Sequence, residues 1–448
     1  QPTSDVVISV ASSDTGEVST SGNLTFTAAN WDTAQTITVT GVDDDLVDGT
    51  QTSTVTLSVV DASSDNDFDG VADQTVSVST TDDDTAGFTV SQTDGSSSVT
   101  EGGSTDLITV VLDKGPLTDV VISVASSDTG EATVSNSTLT FTAANWDTAQ
   151  TITVTGVDDD LVDGTQTSTV TLSIVDAISN DDFDGVADQT VSVSTTDDDT
   201  AGFTVSQTDG SSSVTEGGST DLITVVLDAQ PTSDVVISVA SSDTDEVTVS
   251  DATLTFTAAN WDTAQTITVT GVDDDLVDGT QTSTVTLSVV DASSDNDFDG
   301  VADQTVSVST TDDDTAGFTV SQTGGSSTVT EGGSTDLITV VLDAQPTSDV
   351  VISVASSDTD EVTVSDATLT FTAANWDTAQ TITVTGVDDD LVDGTQTSTV
   401  TLSVVDASSD NDFDGVADQT VSVSTTDDDT AGFTVSQTGG SSTVTEGG

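Results

Sequence analysis

Runs of three consecutive aspartates, at 82–84, 197–199, 312–314 and 427–429, are the most concentrated chemistry in this sequence. In the second copy, Glu101 and then Asp158, Asp159, Asp160 and Asp163 precede the run. These carboxylates have no other functional groups to work with. The 448 residues hold 80 Asp and Glu, one basic side chain (Lys114), and no His, Cys, Met, Tyr or Arg. A histidine general base, a cysteine nucleophile, a lysine Schiff base and an arginine clamp are excluded. Zinc, copper and haem sites, which draw on His, Cys or Met, are excluded too. Two uses are left for oxygen ligands alone: hydrolysis by a carboxylate pair, or the binding of a hard cation. The acids sit in triplets repeated without variation and without an aromatic-lined cleft, which favours the cation. A formal charge of −79 repels phosphate backbones and anionic lipid, so neither a nucleic-acid partner nor membrane insertion is expected.

What positions these acids is a repeat. Trp31, Trp146, Trp261 and Trp376 are the only tryptophans, spaced 115 residues apart, and residues 234–333 and 349–448 are identical. Solenoid repeats run roughly 20–50 residues, whereas a unit of this length can bury its own core. The sequence therefore predicts a tandem array: residues 1–84 form a partial module (strands C to G), 85–199, 200–314 and 315–429 are complete modules, and 430–448 open a further one with its first strand. The array is cut out of phase, as expected of a window on a longer protein or of ends completed by neighbouring chains. No signal peptide, transmembrane run or lipidation motif is visible.

High charge and few aromatics lean toward disorder, but the periodicity argues for folding. In 85–199 apolar residues alternate with Ser or Thr in seven runs: A (87–91), B (106–113), C (119–125), D (138–143), E (151–157), F (168–175) and G (189–195). Short β-branched runs of period two predict an all-β fold, an antiparallel seven-stranded Ig-like sandwich in each module, with no helix. If each connection reverses the chain, loops AB, CD and EF share one end with the exit of G. That end collects Glu101, Asp128, Asp158, Asp159, Asp160, Asp163 and the triplet Asp197, Asp198 and Asp199. Trp146 and the FG loop, 180–188, lie at the other. Two carboxylates about 5.5 Å apart repel by about 0.8 kcal/mol in water and about 3 kcal/mol at an effective dielectric of 20. Several such pairs would erode a domain whose stability is roughly 5–15 kcal/mol. Calcium, which accepts six to eight flexible oxygens, is the expected remedy, several ions to a module.

The FG loop carries a second signal. Asp65, Asp67, Asp69, Gly70 and Asp73 spell D-x-D-x-D-G-x-x-D, resembling the first half of an EF-hand loop but lacking its position-twelve Glu and its helices. The motif recurs at Asp295, Asp297, Asp299 and Asp303, and at Asp410, Asp412, Asp414 and Asp418. The copy with Asp182, Asp184 and Asp188 begins with Asn180, a neutral ligand, and is expected to bind calcium more weakly. The competing reading is an Asx-rich turn. Phe68 and its equivalents are expected to pin this loop to the sandwich, and the tryptophans to cap its end.

Together, Val99-Thr100-Glu101-Gly102-Gly103, Leu139-Thr140-Phe141, Thr151-Ile152-Thr153-Val154, Asp158-Asp159-Asp160 and the closing Asp197-Asp198-Asp199 resemble the Calx-β family, a calcium-binding β-sandwich of sodium–calcium exchangers and bacterial surface proteins. The resemblance recurs along the whole chain. It implies calcium ligands at the Glu after strand A, at an EF-loop Asp and another four residues on, and at the triplet. Those are Glu101, Asp159, Asp163, Asp197, Asp198 and Asp199 here. The same register gives Asp44, Asp48, Asp82, Asp83 and Asp84 in the partial module, then Glu216, Asp274, Asp278, Asp312, Asp313 and Asp314. It continues with Glu331, Asp389, Asp393, Asp427, Asp428 and Asp429, and ends at Glu446. Two departures stand out: Asp163 is shorter than the Glu common there, and the family's Asp-Tyr after strand C is missing, so Asp128 matches no family ligand.

Threonine-rich strands could suggest an ice-binding array, but a twisted sheet offers no long flat ladder. The sequons Asn23-Leu24-Thr25 and Asn136-Ser137-Thr138 carry little weight by themselves. Between modules only Thr85-Ala86-Gly87 follows the triplet, so the acidic end of one module is expected to abut the Trp and FG end of the next. No disulfide can form, and isopeptide staples need a lysine in every module, whereas only 85–199 has one, Lys114. The expectation is thus a non-enzymatic, calcium-rigidified rod, roughly 160 Å for four modules, in an extracellular adhesin or matrix fibre. Its partners are calcium, neighbouring modules and other copies of itself. A filament subunit completed by strand exchange and an acidic calcium reservoir are the alternatives.

Overall fold

The computed structural model describes residues 1–440, 446 and 447. The chain is all-β, built from repeated two-sheet sandwiches, and among the described residues its only helices are single 3-10 turns in the FG loops and in one other turn. Among the described residues no helix is long and apolar enough to cross a membrane.

The module around Trp146 illustrates the architecture. One sheet runs Ala132–Val134, Gln150–Gly156, Thr105–Leu112, Phe88–Gln92, all antiparallel. The facing sheet runs Thr138–Phe141, Val120–Ser126, Gln166–Ile174, Gln189–Thr196 and finally Ser97–Thr100, the last pair parallel. Two strands, Ser97–Thr100 and Ala132–Val134, join the seven that alternation reveals. They are too short to show a period. After the turn at Gly95 (φ +80°) the chain changes sheet and covers the open edge of Gln189–Thr196, an edge that would otherwise offer unpaired backbone groups.

The alternation buries one face of each strand. In Gln166–Ile174, Ser168, Val170 and Leu172 point inward while the intervening threonines face out. The core gathers Ile108, Ile122, Phe141, Ile152, Leu172 and Val193, together with Phe183 from the FG loop. Phe183, Phe298 and Phe413 are fully buried, so the loop is pinned as expected. Trp146 packs on the rim of this core, and its carbonyl accepts the Leu112 N–H at 3.2 Å.

The chain divides into two compact units, residues 1–200 with 229–232, and 201–228 with 233–448. In the first, residues 1–84 keep four of the five strands of one sheet, Leu24–Phe26, Val6–Ser12, Gln51–Val59, Gln74–Thr80, without a counterpart of Ser97–Thr100. Opposite it only Val18–Thr20 and Val39–Gly41 pair. The equivalent of Gln150–Gly156 shrinks to Val39–Gly41 because its partner, the counterpart of Thr105–Leu112, is not in the sequence. For the same reason 432–436, expected to open a further module, forms no strand within the described residues, and Phe433 and Val435 are exposed. Residues 441–445 and 448 of that expected strand segment lie outside the described residues.

Successive modules within each unit share backbone and core. Leu46–Val47, in one EF loop, pairs in parallel with Gly115–Pro116 of the next module, and Val47 joins that module's core beside Phe88 and Phe141. In the second unit Leu276 bridges Gln345 in the same way. Gln345 donates to the Asp275 carbonyl at 2.7 Å, Val277 donates to the Gln345 carbonyl at 3.0 Å, and the Val277 side chain enters the core of the 315–429 module.

Candidate metal centre

Glu101 sits immediately beyond Ser97–Thr100, the strand that alternation misses. Its N–H donates to the Thr196 carbonyl at 3.1 Å, which fixes it beside the triplet. Gly102 (φ +59°) then turns the chain, and a Cβ there would lie 2.5 Å from an Asp158 carboxylate oxygen. Carboxylate oxygens of Glu101, Asp197 and Asp199 all lie within 4.8 Å of one another. The same holds for Glu216 with Asp312 and Asp314, and for Glu331 with Asp427 and Asp429. The three glutamates are 1–2% exposed, and Oε2 of each has no hydrogen-bond partner.

Inside each triplet the roles differ. Asp197 accepts from the N–H groups of Asp163 (3.1 Å) and Gly164 (2.8 Å) through one oxygen, and from Asp199 (2.8 Å) through the other. It thereby ties the EF loop to the end of the last strand. Asp82, Asp312 and Asp427 repeat these contacts. Backbone N–H groups hold the Asp82 and Asp427 carboxyls below the usual range, led by those of Asp84 and Gly394 respectively. Asp83, Asp198, Asp313 and Asp428 are exposed and do not join the groups, because in extended chain the middle residue of three points the opposite way. Asp159 is exposed and spends one oxygen on the Leu161 N–H at 2.8 Å. Asp44, Asp274 and Asp389 do likewise. Asp163 and Asp278 each keep one buried oxygen without a partner. In the partial module, Asp44, Asp48, Asp82, Asp83 and Asp84 line a cleft with Glu17. Glu446 is exposed and joins no such group among the described residues.

Sequence reasoning missed one contributor. Glu246 joins Glu216 and Asp278 in a second group within 4.8 Å, and Glu131, Glu246 and Glu361 each hold a buried Oε2 without a partner. Asp128, assigned to the same loop, instead accepts the Gly130 N–H at 2.9 Å and shapes the turn. The signal was present in composition. The chain has eight glutamates, and all fall at two positions of the repeat: 101, 216, 331, 446 and 17, 131, 246, 361.

Packing so many anions together perturbs them. Glu101 and Glu216 are pushed up to about 7, by burial first and then by Asp159 and Asp197, or Asp274 and Asp312. Burial, then neighbouring carboxylates, also raises Glu131, Glu246, Glu331, Glu361, Asp199, Asp314 and Asp429. Orphaned buried oxygens converging from three segments, with hard donors only, fit a divalent cation that tolerates many oxygen ligands.

The D-x-D-x-D-G loops differ from the expected ligand set. Their first residue caps the 3-10 turn that follows: Asp65 accepts from Asp67 N–H, and its other oxygen takes the Thr3 hydroxyl (2.7 Å) and the Thr3 and Ser4 N–H groups. These bonds, the Thr3 hydroxyl foremost, hold its carboxyl well below the usual range. Asp295 and Asp410 cap in the same way, as does Asn180 through its amide oxygen, so the neutral residue still does the structural job. Asp67, Asp69, Asp73, Asp182, Asp184, Asp188, Asp297, Asp299, Asp303, Asp412, Asp414 and Asp418 are exposed. Among the described residues none of the loop's acids enters a close carboxylate group. The leading side chain of each loop is thus engaged by N–H donors, as the competing Asx-turn reading expects. Asp412 and Asp414 do reach the junction, lining one cleft with Asp312 and Asp314 of the preceding module.

No family model and no curated protein matches the chain. Among solved structures, it is similar to domains 4–9 of the surface layer protein SbsC, at 16% identity over 93% of this chain and a TM-score of 0.21. The chain spans 57% of the length of that structure. It is also similar to CBD12 from CALX1.2, at 12% identity over 49% of this chain and 99% of that one (TM-score 0.21). The calcium binding domain CBD12 of CALX1.1 matches at 16% identity over 45% of this chain and 80% of that one (TM-score 0.21).

Proposed function

We propose that this chain is a non-enzymatic, calcium-stiffened spacer within an extracellular surface adhesin or matrix fibre. The observation that carries the reading is the buried, unpartnered glutamate of each complete module, Glu101, Glu216 and Glu331, packed against two triplet carboxylates. Three buried anions of this kind need a counter-cation, and the sequence supplies one basic side chain in 448 residues. The EF loop gives the cation a mechanical role. Asp274 and Asp278 flank Leu276–Val277, the pair that bonds to and plugs the following module. A cation drawing those carboxylates together fixes the loop and, through it, the orientation of the next module. Extracellular modules bind calcium at roughly 10⁻⁴–10⁻³ M, which suits numerous weak sites in a millimolar medium.

The test pairs thermal melts with small-angle X-ray scattering, in excess chelator and in millimolar calcium. A large calcium-induced gain in melting temperature with a stiff profile of roughly 160 Å supports the spacer. Particles growing far beyond that length would indicate a filament instead. No response to calcium in either measurement refutes the reading.

A further inference from the structure

Lys114 is the one basic side chain, and it lies at the junction between residues 1–84 and the following module. Its Nζ is 2.5 Å from an Asp84 oxygen and 2.8 Å from an Asp45 oxygen. Asp84 is the last residue of its triplet, and its side chain is only 10% exposed. At the corresponding place the later modules carry Ala229 and Ala344. There the last triplet residues, Asp199 and Asp314, each have a buried carboxylate oxygen with no partner, whereas neither Asp84 oxygen is left so. Asp160 and Asp275 stand where Asp45 does, close enough to repel Asp199 and Asp314. Asp314 also shares its close group with the nine-tenths-buried, unpartnered Glu216, so the position borders a built site.

Resting on the calcium reading, we propose that the Lys114 ammonium substitutes for one metal ion: it fills at Asp45 and Asp84 the cation position that Asp160 with Asp199, and Asp275 with Asp314, leave to a divalent ion from solvent. The first junction is therefore neutralised by the chain itself and holds without metal, while the one at Asp275 and Asp314 depends on calcium. The lysine stem reaches this position from the residue before Gly115, where the two modules pair, so the charge and the backbone contact are set by adjacent residues.

Four full-length chains test this: wild type, Lys114→Ala, Ala344→Lys and Ala344→Met. Calcium alone is the probe, and bound ions per chain are counted by equilibrium dialysis and calorimetric titration at pH 8, with melts in chelator alongside. Ala344→Lys is expected to bind one calcium fewer and to melt higher in chelator. Lys114→Ala is expected to bind one more and to melt lower, and Ala344→Met, of similar length without charge, to match wild type in count. Equal counts in wild type, Lys114→Ala and Ala344→Lys, with calcium bound, overturn the inference alone. Loss of an ion in Ala344→Met as well assigns the effect to bulk and overturns it too. No calcium bound by any chain refutes the metal reading and the inference with it.

Discussion

Replacing Glu101, Glu216 and Glu331 together by Gln should move stability in opposite directions with and without calcium. All three are changed at once because near-identical modules would otherwise mask a single response. Each glutamate lies within 4.8 Å of two triplet carboxylates. At that distance a like-charge pair costs about 3.5 kcal/mol at an effective dielectric of 20, and under 1 kcal/mol in water. Two pairs at full strength overstate the relief, because Glu101 and Glu216, pushed up to about 7, carry a proton much of the time near neutrality. At pH 8 a gain of about 2–3 kcal/mol per module is expected without metal, raising the melting temperature by roughly 10 °C. With millimolar calcium the sign inverts, since a neutral amide is a poorer ligand at the centre of the site. A hundredfold loss of affinity forfeits about 2.7 kcal/mol. The assay is differential scanning calorimetry at pH 8 in chelator and in calcium. If the substitutions shift both melts the same way, the glutamates are ordinary packing residues and the metal centre is misassigned.

The pH dependence has a definite sign. Folded-state values of about 7 for Glu101 and Glu216, against an ordinary 4.5, mean that their contribution is fully present below pH 4.5 and is lost as pH rises through 7. Metal-free melts should fall across that window, and calcium, which needs the carboxylates deprotonated, should bind more tightly across it with release of protons to the buffer. Val277→Ala removes two methyl groups from the core of the next module, costing about 2 kcal/mol in chemical denaturation. Val392→Ala, the same repeat position but 57% exposed, should change stability by less than about 0.5 kcal/mol. Asp410→Ala removes a turn cap and should cost about 1–2 kcal/mol. Replacing Asp67, Asp69 and Asp73 by Ser should leave the calcium count unchanged, and loss of ions there would restore the D-x-D-x-D-G loop as a site.

Strand parity was enough to bring dispersed acids to one end, because the repeat alternates cleanly and each connection reverses the chain. Parity fails where the chain departs from that rule. Ser97–Thr100 is four residues long and pairs in parallel, so nothing in its pattern announces a strand, although it delivers Glu101 to the triplet. The resemblance counts Asp198 among the ligands, and the extended backbone turns this middle residue toward solvent, away from the group of Glu101, Asp197 and Asp199. The D-x-D-x-D-G motif was legible as a turn and as a calcium loop alike. What separates the two is whether N–H donors reach the first carboxylate, and the donors at Thr3 and Ser4 are distant in sequence from Asp65.

Glutamate placement explains why two lengths of acid are used. The aspartates of the centre sit on the loops that face it: Asp197 is anchored by the N–H groups of Asp163 and Gly164, and Asp163 keeps a free oxygen nearby. The glutamates instead start from neighbouring segments, Glu101 just beyond Thr100 and Glu131 beside Val157, whose N–H donates to its carbonyl at 2.9 Å. A carboxylate one methylene longer spans from those flanking positions to the shared centre, at the cost of burying the extra carbon and the charge. That cost is offset either by a proton, which burial makes these groups hold more tightly, or by a cation once they are ionised. The EF loop then carries two obligations within three residues, Asp278 toward the carboxylate group of Glu216 and Glu246 and Leu276–Val277 toward the next module. Under the proposed calcium reading, that proximity couples module orientation to the cation with no moving part between site and junction. A substitution at either face of the loop should therefore register at the other, which separates a mechanical coupling from an acidic coat that merely accumulates counter-ions.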